Sequence, residues 1–458
     1  MSLLITKTAL TTYSKLKIIA YILISLLVIV LAVLQPIDRS PIENKPFYKE
    51  MMESMAEFEL AEMAINDSIP SQIGWSSINI TPSEPELLIG YKPRGPYLQV
   101  HDSIFVRSLL IDNGANEVAI VSLDLLLVPP ALVQYLEQKL PAINFDINSI
   151  YFTATHTHTS IGGWLDSFAG QFIAGDFDPK RIEWLGDKII ESIQQARASK
   201  SAGAIAFKKI ETQGLVEHRL DKPSKDIDES LRVIRVDKEN GERGIWVTFS
   251  AHPSLINKNT HVLSGDYPSA MLQELKAGGF DFAMFSAGMV GSHRPKEYGL
   301  FDIEFLEDYG KKLATIIMDN LDSAMLDSTT GMAMQKLPLS LPKSQLRLTK
   351  EFGVRVWFFT LAMGKLEAEI NILQIGDILL LGMPCDFSGE LSVHGQFDKL
   401  AQANGRHLMI TSFNGDYIGY ITDDSRYDTS VKDEVRSLNW VGPYMGEYFS
   451  KVVTQIIE

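Results

Sequence analysis

Hydrophobic residues dominate positions 18–34, with Tyr21 and Ser25 as the mildest interruptions, and the pattern then changes character. Beyond Pro36 apolar residues come in shorter bursts separated by turn-forming Gly, Pro, Asn and Asp. The spacing predicts an amphipathic helix over 47–65, with methionines at 51, 52 and 55 that read as packing. A short alternating strand is predicted over 74–82, followed by strands over 103–111, 117–127 and 149–155. Helices are predicted over 131–139 and 179–197, the second with one apolar stripe. Further strands are predicted over 204–212, 230–237 and 244–251, a helix over 269–277, a strand over 280–285 and a helix over 303–320. Strands then follow over 329–337, 349–360, 366–375, 377–383 and 407–413. No repeat or low-complexity tract interrupts the sequence. The expected fold class is α/β: one large domain, a mixed β-sheet core flanked by helices, after an N-terminal transmembrane helix.

The apolar run is at the short end of what spans a bilayer. Lys7, Lys15 and Lys17 precede it; Gln35, Pro36 and Asp38 stop it. The basic flank predicts a cytoplasmic segment over 1–17, an anchor over 18–35, a juxtamembrane stretch over 36–73 and a folded domain over 74–458 on the periplasmic or extracellular side. A cleaved secretion signal is the competing reading. No clear small-x-small cleavage site follows the run, although Leu31-Ala32-Val33 keeps that reading open.

Charge and cysteine content narrow the chemistry. A formal charge of -15 without a Lys/Arg cluster argues against a nucleic-acid surface. Cys385 is the single cysteine, so an internal disulfide and a thiolate metal cluster are both excluded. Any metal must be held by nitrogen and oxygen. There is no Gly-x-Ser-x-Gly elbow and no Walker-type phosphate loop. A lone thiol beside Asp386 reads as structural.

Polar residues gather where predicted strands end. The run Thr155-His156-Thr157-His158-Thr159 places two of nine histidines two residues apart at a strand-to-loop junction. On an extended strand such residues share a face, which points to a metal centre; a hydrogen-bonded polar pair is the plain alternative. His252 ends a second strand, Asp386 with Glu390 close behind ends a third, and Ser412 to Thr422 closes a fourth. Together they offer imidazoles and a carboxylate, a workable zinc set with an open position for water.

These blocks resemble the neutral/alkaline (non-lysosomal) ceramidase family in its N-terminal catalytic domain. The resemblance rests on Trp75…Asn79-Ile80-Thr81-Pro82, Ser122-Leu123-Asp124, Thr155-His156-Thr157-His158-Thr159…Gly162-Gly163, Ala251-His252-Pro253, Pro384-Cys385-Asp386-Phe387-Ser388 and Gly419-Tyr420-Ile421-Thr422, in that order. It implies one catalytic zinc ion held by His156, His252, Asp386 and Tyr420, with Asp386 standing where the family has glutamate and Glu390 as a spare carboxylate. It implies that His158 contacts the reacting centre and that Arg219 is an active-site arginine. The family's Asn-Ala-Gly-Asp-Val-Ser-Pro-Asn block reads Ser286-Ala287-Gly288-Met289-Val290-Gly291-Ser292-His293 here, with Gly291 at the serine position and Ser292 next to it as a substitute catalytic residue.

The resemblance implies hydrolysis of an N-acylsphingosine to a fatty acid and a sphingoid base, with a membrane lipid as substrate. Two alternatives accompany it: a zinc-dependent hydrolase of another amide or ester, and a catalytically inactive surface-binding domain, motivated by the Asp386 and Gly291 departures.

Overall fold

Eight strands form the large sheet among the residues described by the computed structural model, which are 2–66, 69–221, 224–296, 303–321, 326–328 and 330–458, with side chains from Lys15 onward. Thr329, where the predicted 329–337 strand opens, lies outside the described residues, as do Met1 of the predicted 1–17 segment and Asp67 and Ser68 of the 36–73 stretch. The strands run in the order Phe282–Ala287, Arg243–Phe249, Ser230–Lys238, Ser201–Glu211, Gln72–Asn79, Phe105–Asp112, Glu117–Leu123 and Ile150–Ala154. Most pairs are antiparallel, but Glu117–Leu123 with Ile150–Ala154 and Arg243–Phe249 with Phe282–Ala287 are parallel. A second sheet orders Met332–Pro338, Glu369–Ile375, Ile378–Met383 and His407–Ser412, its last pair parallel.

The sheets meet through one apolar layer. Ile73, Ile120, Tyr151, Trp246 and Met284 from the large sheet pack with Leu373, Leu380 and Met409 from the smaller one. The opposite faces are also covered. Helices Pro130–Lys139 and Pro179–Ala198 bury Leu132, Leu136, Leu185 and Ile189 over one half of the large sheet. Helices Asp266–Ala277 and Ile303–Asn320 cover the other half with Met271, Leu275, Leu313 and Ile317. Helices Pro46–Ala56 and Met445–Ile457 cover the smaller sheet. Because both faces of the inner strands are buried, those strands read as continuous hydrophobic runs rather than alternations. The chain is thus a single α/β domain with mixed sheets flanked by helices.

Two elements depart from the sequence reading. The 47–65 helix ends early, at Ala56, with Met51 and Met55 buried in the core. The 349–360 strand shrinks to Phe352–Val354, and Val356–Met363 is a helix instead. Aromatic and β-branched residues at 354–359 carry strand propensity, but helix formation here satisfies the backbone beside an irregular loop.

The N-terminal apolar run is helical over Ser2–Val33, and its 19 residues Lys15–Val33 are long and apolar enough to cross a membrane; a signal sequence has the same character. Its end is tied to the domain: Leu34–Pro36 pairs antiparallel with Phe352–Val354.

Candidate active site

The parallel-paired strands Ile150–Ala154, Arg243–Phe249 and Ile378–Met383 are followed by His156, His252 and Asp386 respectively. The strand Ile150–Ala154 gives way to a loop whose first turns are pinned by Thr155 N–H to the Leu123 carbonyl (2.9 Å) and His156 N–H to the Leu125 carbonyl (3.0 Å). His156 then adopts φ 62°, a left-handed conformation uncommon for a side-chain-bearing residue. The two histidines therefore meet through this backbone reversal, not through strand alternation as the sequence suggested. Strain of this kind is sustained only where its surroundings over-determine it. The His156 Nδ1–H donates to the Leu126 carbonyl, which leaves Nε2 with its lone pair free. Phe413 stacks on the opposite face of the ring, centroids 4.1 Å apart.

Three imidazoles converge. His156 Nε2 lies 3.1 Å from His252 Nε2 and 3.4 Å from His158 Nε2, and the latter pair are 2.7 Å apart. Asp386 Oδ1 approaches His156 Nε2 at 3.3 Å. It is buried and has no hydrogen-bond partner. Zinc–ligand bonds of about 2.0–2.1 Å at tetrahedral angles hold donor atoms roughly 3.3 Å apart. The distances from His156 to His252 and to Asp386 fit that spacing, and the orphaned buried carboxylate oxygen supplies the charge a divalent cation requires. The cluster His156, His158 and His252 can hold a single metal ion. Burial, followed by the His156 ring, depresses the His158 pKa; burial, followed by the Arg219 charge, depresses that of His252. Neutral imidazole is the form that ligates.

Asp386 and Tyr420 arrive as neighbours. The two-residue strands Asp386–Phe387 and Tyr420–Ile421 are parallel, with Asp386 opposite Tyr420. Burial first, then the Asp386 charge, pushes the Tyr420 phenol well above its ordinary value. Arg219 lies with its guanidinium 5.9 Å from the Tyr420 ring centre and Nη1 2.8 Å from His252 Nδ1. Its other nitrogen, Nη2, pairs with Glu434.

Two residues occupy different positions from those the sequence suggested. Ser292 Oγ is 3.1 Å from His293 Nδ1 and accepts from the Glu390 N–H at 3.3 Å, facing an adjoining cluster and not the three imidazoles. Glu390 Oε2 is held by His218 (3.0 Å) and Arg426 (3.1 Å), so its carboxylate is committed elsewhere. Gly291 is a point of close approach: a Cβ there would sit 2.5 Å from the Asp386 carbonyl oxygen. The segment instead donates Gly291 N–H to the Phe387 carbonyl at 2.9 Å, strapping the loop to the Asp386 strand.

Several contributors were not singled out from sequence. Tyr417 donates its hydroxyl to Asp386 Oδ2 at 2.7 Å. Tyr91 packs on His158 with ring centres 4.7 Å apart. Gly90 permits that loop to pass close, because a Cβ there would lie 2.4 Å from His158 Cα. Below the loop, Asp124 pairs with Arg107 (2.7 Å) and its carbonyl accepts from Ser160 Oγ (2.7 Å), so the 122–124 block braces the histidine loop. Asp124 lies in the Ser122-Leu123-Asp124 block and Tyr417 in the Ser412 to Thr422 segment, but nothing in the sequence separates the role of Tyr417 from that of Tyr420.

Residues 72–279 match the family model described as neutral/alkaline non-lysosomal ceramidase, N-terminal. That segment of the chain is similar to the N-terminal part of the neutral/alkaline ceramidases. A neutral ceramidase of Mycobacterium tuberculosis is 26% identical over 144 residues, 28% of this chain and 23% of that protein. One from Pseudomonas aeruginosa is 24% identical over 219 residues, 44% of this chain and 32% of that protein. The chain thus spans a quarter to a third of the length of these curated relatives. Among solved structures, neutral ceramidase from Pseudomonas aeruginosa superimposes with a TM-score of 0.71 at 19% identity, covering 85% of this chain and 74% of that one. A ceramidase complexed with C2 gives 0.70 at 18% identity, covering 85% and 75%. At these identities the superpositions establish the shared fold.

Proposed function

We propose that this chain is a member of the neutral/alkaline ceramidase family and a zinc-dependent hydrolase of carbon–nitrogen amide bonds, cleaving an N-acylsphingosine to a fatty acid and a sphingoid base. The observation that carries it is the convergence of three imidazole Nε2 atoms, with an unpartnered, buried Asp386 oxygen 3.3 Å from that of His156. His156, His252, Asp386 and Tyr420 would hold one Zn2+. When bound, that ion lowers the pKa of a water and polarises the substrate carbonyl.

The chain's own groups supply the rest. Arg219, fixed by Glu434, is a fixed cation beside the cluster, suited to the negative charge that develops on the carbonyl oxygen. His158, neutral and buried, is suited to take a proton at Nε2 and return it to the departing amine nitrogen. Ser292, bonded to His293, acts in this reading by supporting the loop that carries Gly291.

A second reading, hydrolysis of another amide or an ester, is favoured by one observation. The Gly291 position has no room for a serine side chain against the Asp386 backbone. Any substrate contact the family serine makes must be replaced or absent.

The N-terminal helix is proposed to be an uncleaved anchor, with residues 1–17 cytoplasmic, 18–35 in the bilayer and the 74–458 hydrolase domain on the periplasmic or extracellular side. The lysines before the apolar run support that orientation.

The test is hydrolysis by the full chain of long-chain ceramide, a short N-acyl amine and a simple ester. Ceramide turnover lost in His156→Ala is the expected result. Turnover of the ester or short amide alone moves the assignment to the second reading, and no turnover of any by a zinc-loaded, folded protein rejects catalysis.

A further inference from the structure

The helix Val356–Met363 is almost wholly apolar, yet it lies on the surface. Leu361 is 73% exposed and Trp357 53%, with Phe358 beside them. The loop after the histidine motif adds Phe168 and Phe172, 67% and 69% exposed, their rings packed edge to face at 5.4 Å. The two pieces are joined: Ala169 N–H donates to the Ala362 carbonyl at 2.8 Å. Exposed aromatic and aliphatic side chains in this concentration mark a contact surface.

What covers it is indicated by its neighbour. The membrane-length helix Lys15–Val33, itself unburied, ends against this same face. Trp357 Nε1–H donates to the Ala32 carbonyl (3.0 Å), and Arg355 Nε–H to the carbonyls of Leu31 (3.1 Å) and Leu34 (3.0 Å). A bilayer that receives the apolar helix must therefore lie against the Trp357 side of the domain. Trp and Arg at such a junction suit the headgroup layer, with Leu361 and the phenylalanines reaching the acyl chains beyond it.

The patch also borders the candidate site from two directions. Phe359, on the buried side of the short helix, contacts Trp440 (6.1 Å), which contacts Tyr417 (5.3 Å), the donor to Asp386. Phe168 lies ten residues beyond His158, on the connection that leaves the histidine motif.

Resting on the proposed anchor, we propose that the 356–363 helix and the 168–172 loop form a second, non-spanning membrane contact, which seats the domain on the outer leaflet surface with its candidate site at the lipid interface. The occupant is a phospholipid leaflet.

The experiment places single nitroxide labels in the full chain reconstituted into phosphatidylcholine vesicles. Leu361→Cys and Phe172→Cys report the patch, Ile24→Cys the anchor and Lys399→Cys a remote exposed surface; native Cys385 is buried and leaves the labels distinct. Collision with oxygen, which partitions into lipid, is compared with collision with a water-soluble nickel chelate. The expected result is loss of chelate access at 361 and 172, with oxygen access retained and 399 open to chelate. Chelate access at both patch positions while 24 is shielded overturns the platform and leaves the anchor standing. Shielding from both reagents marks a protein partner on this face and overturns it too. If 24 proves aqueous or is removed, the anchor reading fails, and the patch is judged by whether 361 and 172 lose chelate access on addition of vesicles.

Discussion

Tyr417 donates its hydroxyl to Asp386 Oδ2 at 2.7 Å, which turns Oδ1 toward His156 Nε2 at 3.3 Å. The shorter aspartate side chain thus reaches the imidazoles with an orienting bond of its own. Tyr417→Phe removes only that bond. Outer partners of metal ligands typically contribute about 10–100-fold in metal affinity. We expect zinc affinity, measured by competition with a chelator, to weaken by that order in Tyr417→Phe with the fold retained.

Gly291→Ser tests the close approach to the Asp386 strand. The new Cβ would lie 2.5 Å from a backbone oxygen, which no side-chain rotation relieves. Overpacking of this kind costs about 1–3 kcal/mol. A lowered melting temperature is expected, without any gain of ceramide hydrolysis; a gain would show that the loop yields and that the missing serine alone limits activity.

Glu434→Gln separates positioning from binding. Glu434 pairs with Arg219 without touching the imidazoles, so zinc content should be unchanged. Loss of the fixed guanidinium orientation should lower kcat by up to about a hundredfold. Equal zinc content with a fall in kcat is the expected pattern; zinc loss would assign Glu434 a structural role instead.

Acid sensitivity follows from Asp228. Burial opposes its charge, but the Arg232 guanidinium at 2.9 Å and the Ser250 hydroxyl outweigh burial and hold its pKa at about 2, below the unfolded value of 3.8. A depressed carboxyl contributes stability above its unfolded pKa and loses it as pH falls through the folded one, so the window is roughly pH 4 down to pH 2. The shift corresponds to roughly 2 kcal/mol. Thermal melts of wild type and Asp228→Asn should therefore differ most above pH 4 and converge toward pH 2. A constant difference across that range would contradict the assignment.

The sequence showed the strands that end at the site because their hydrophobic runs are bounded by turn residues, as at 150–154 before His156. It also showed the helix Ile303–Asn320, whose apolar stripe is unambiguous. The helix Val356–Met363 escaped because Trp357, Phe358 and Phe359 favour strands locally, and only tertiary context reverses that preference. The site was legible as separate strand ends, whereas its assembly was not. The opposition of Asp386 and Tyr420, the His156 backbone reversal and the commitment of Glu390 to His218 depend on packing between distant segments.

The most direct test of the account is zinc bound per chain, measured by mass spectrometry of metals after stripping and reloading wild type and His156→Ala. One zinc per wild-type chain and loss of that zinc in the variant are expected. No zinc in folded wild type, or one zinc retained equally by both proteins, would contradict a metal centre built on His156, His252 and Asp386.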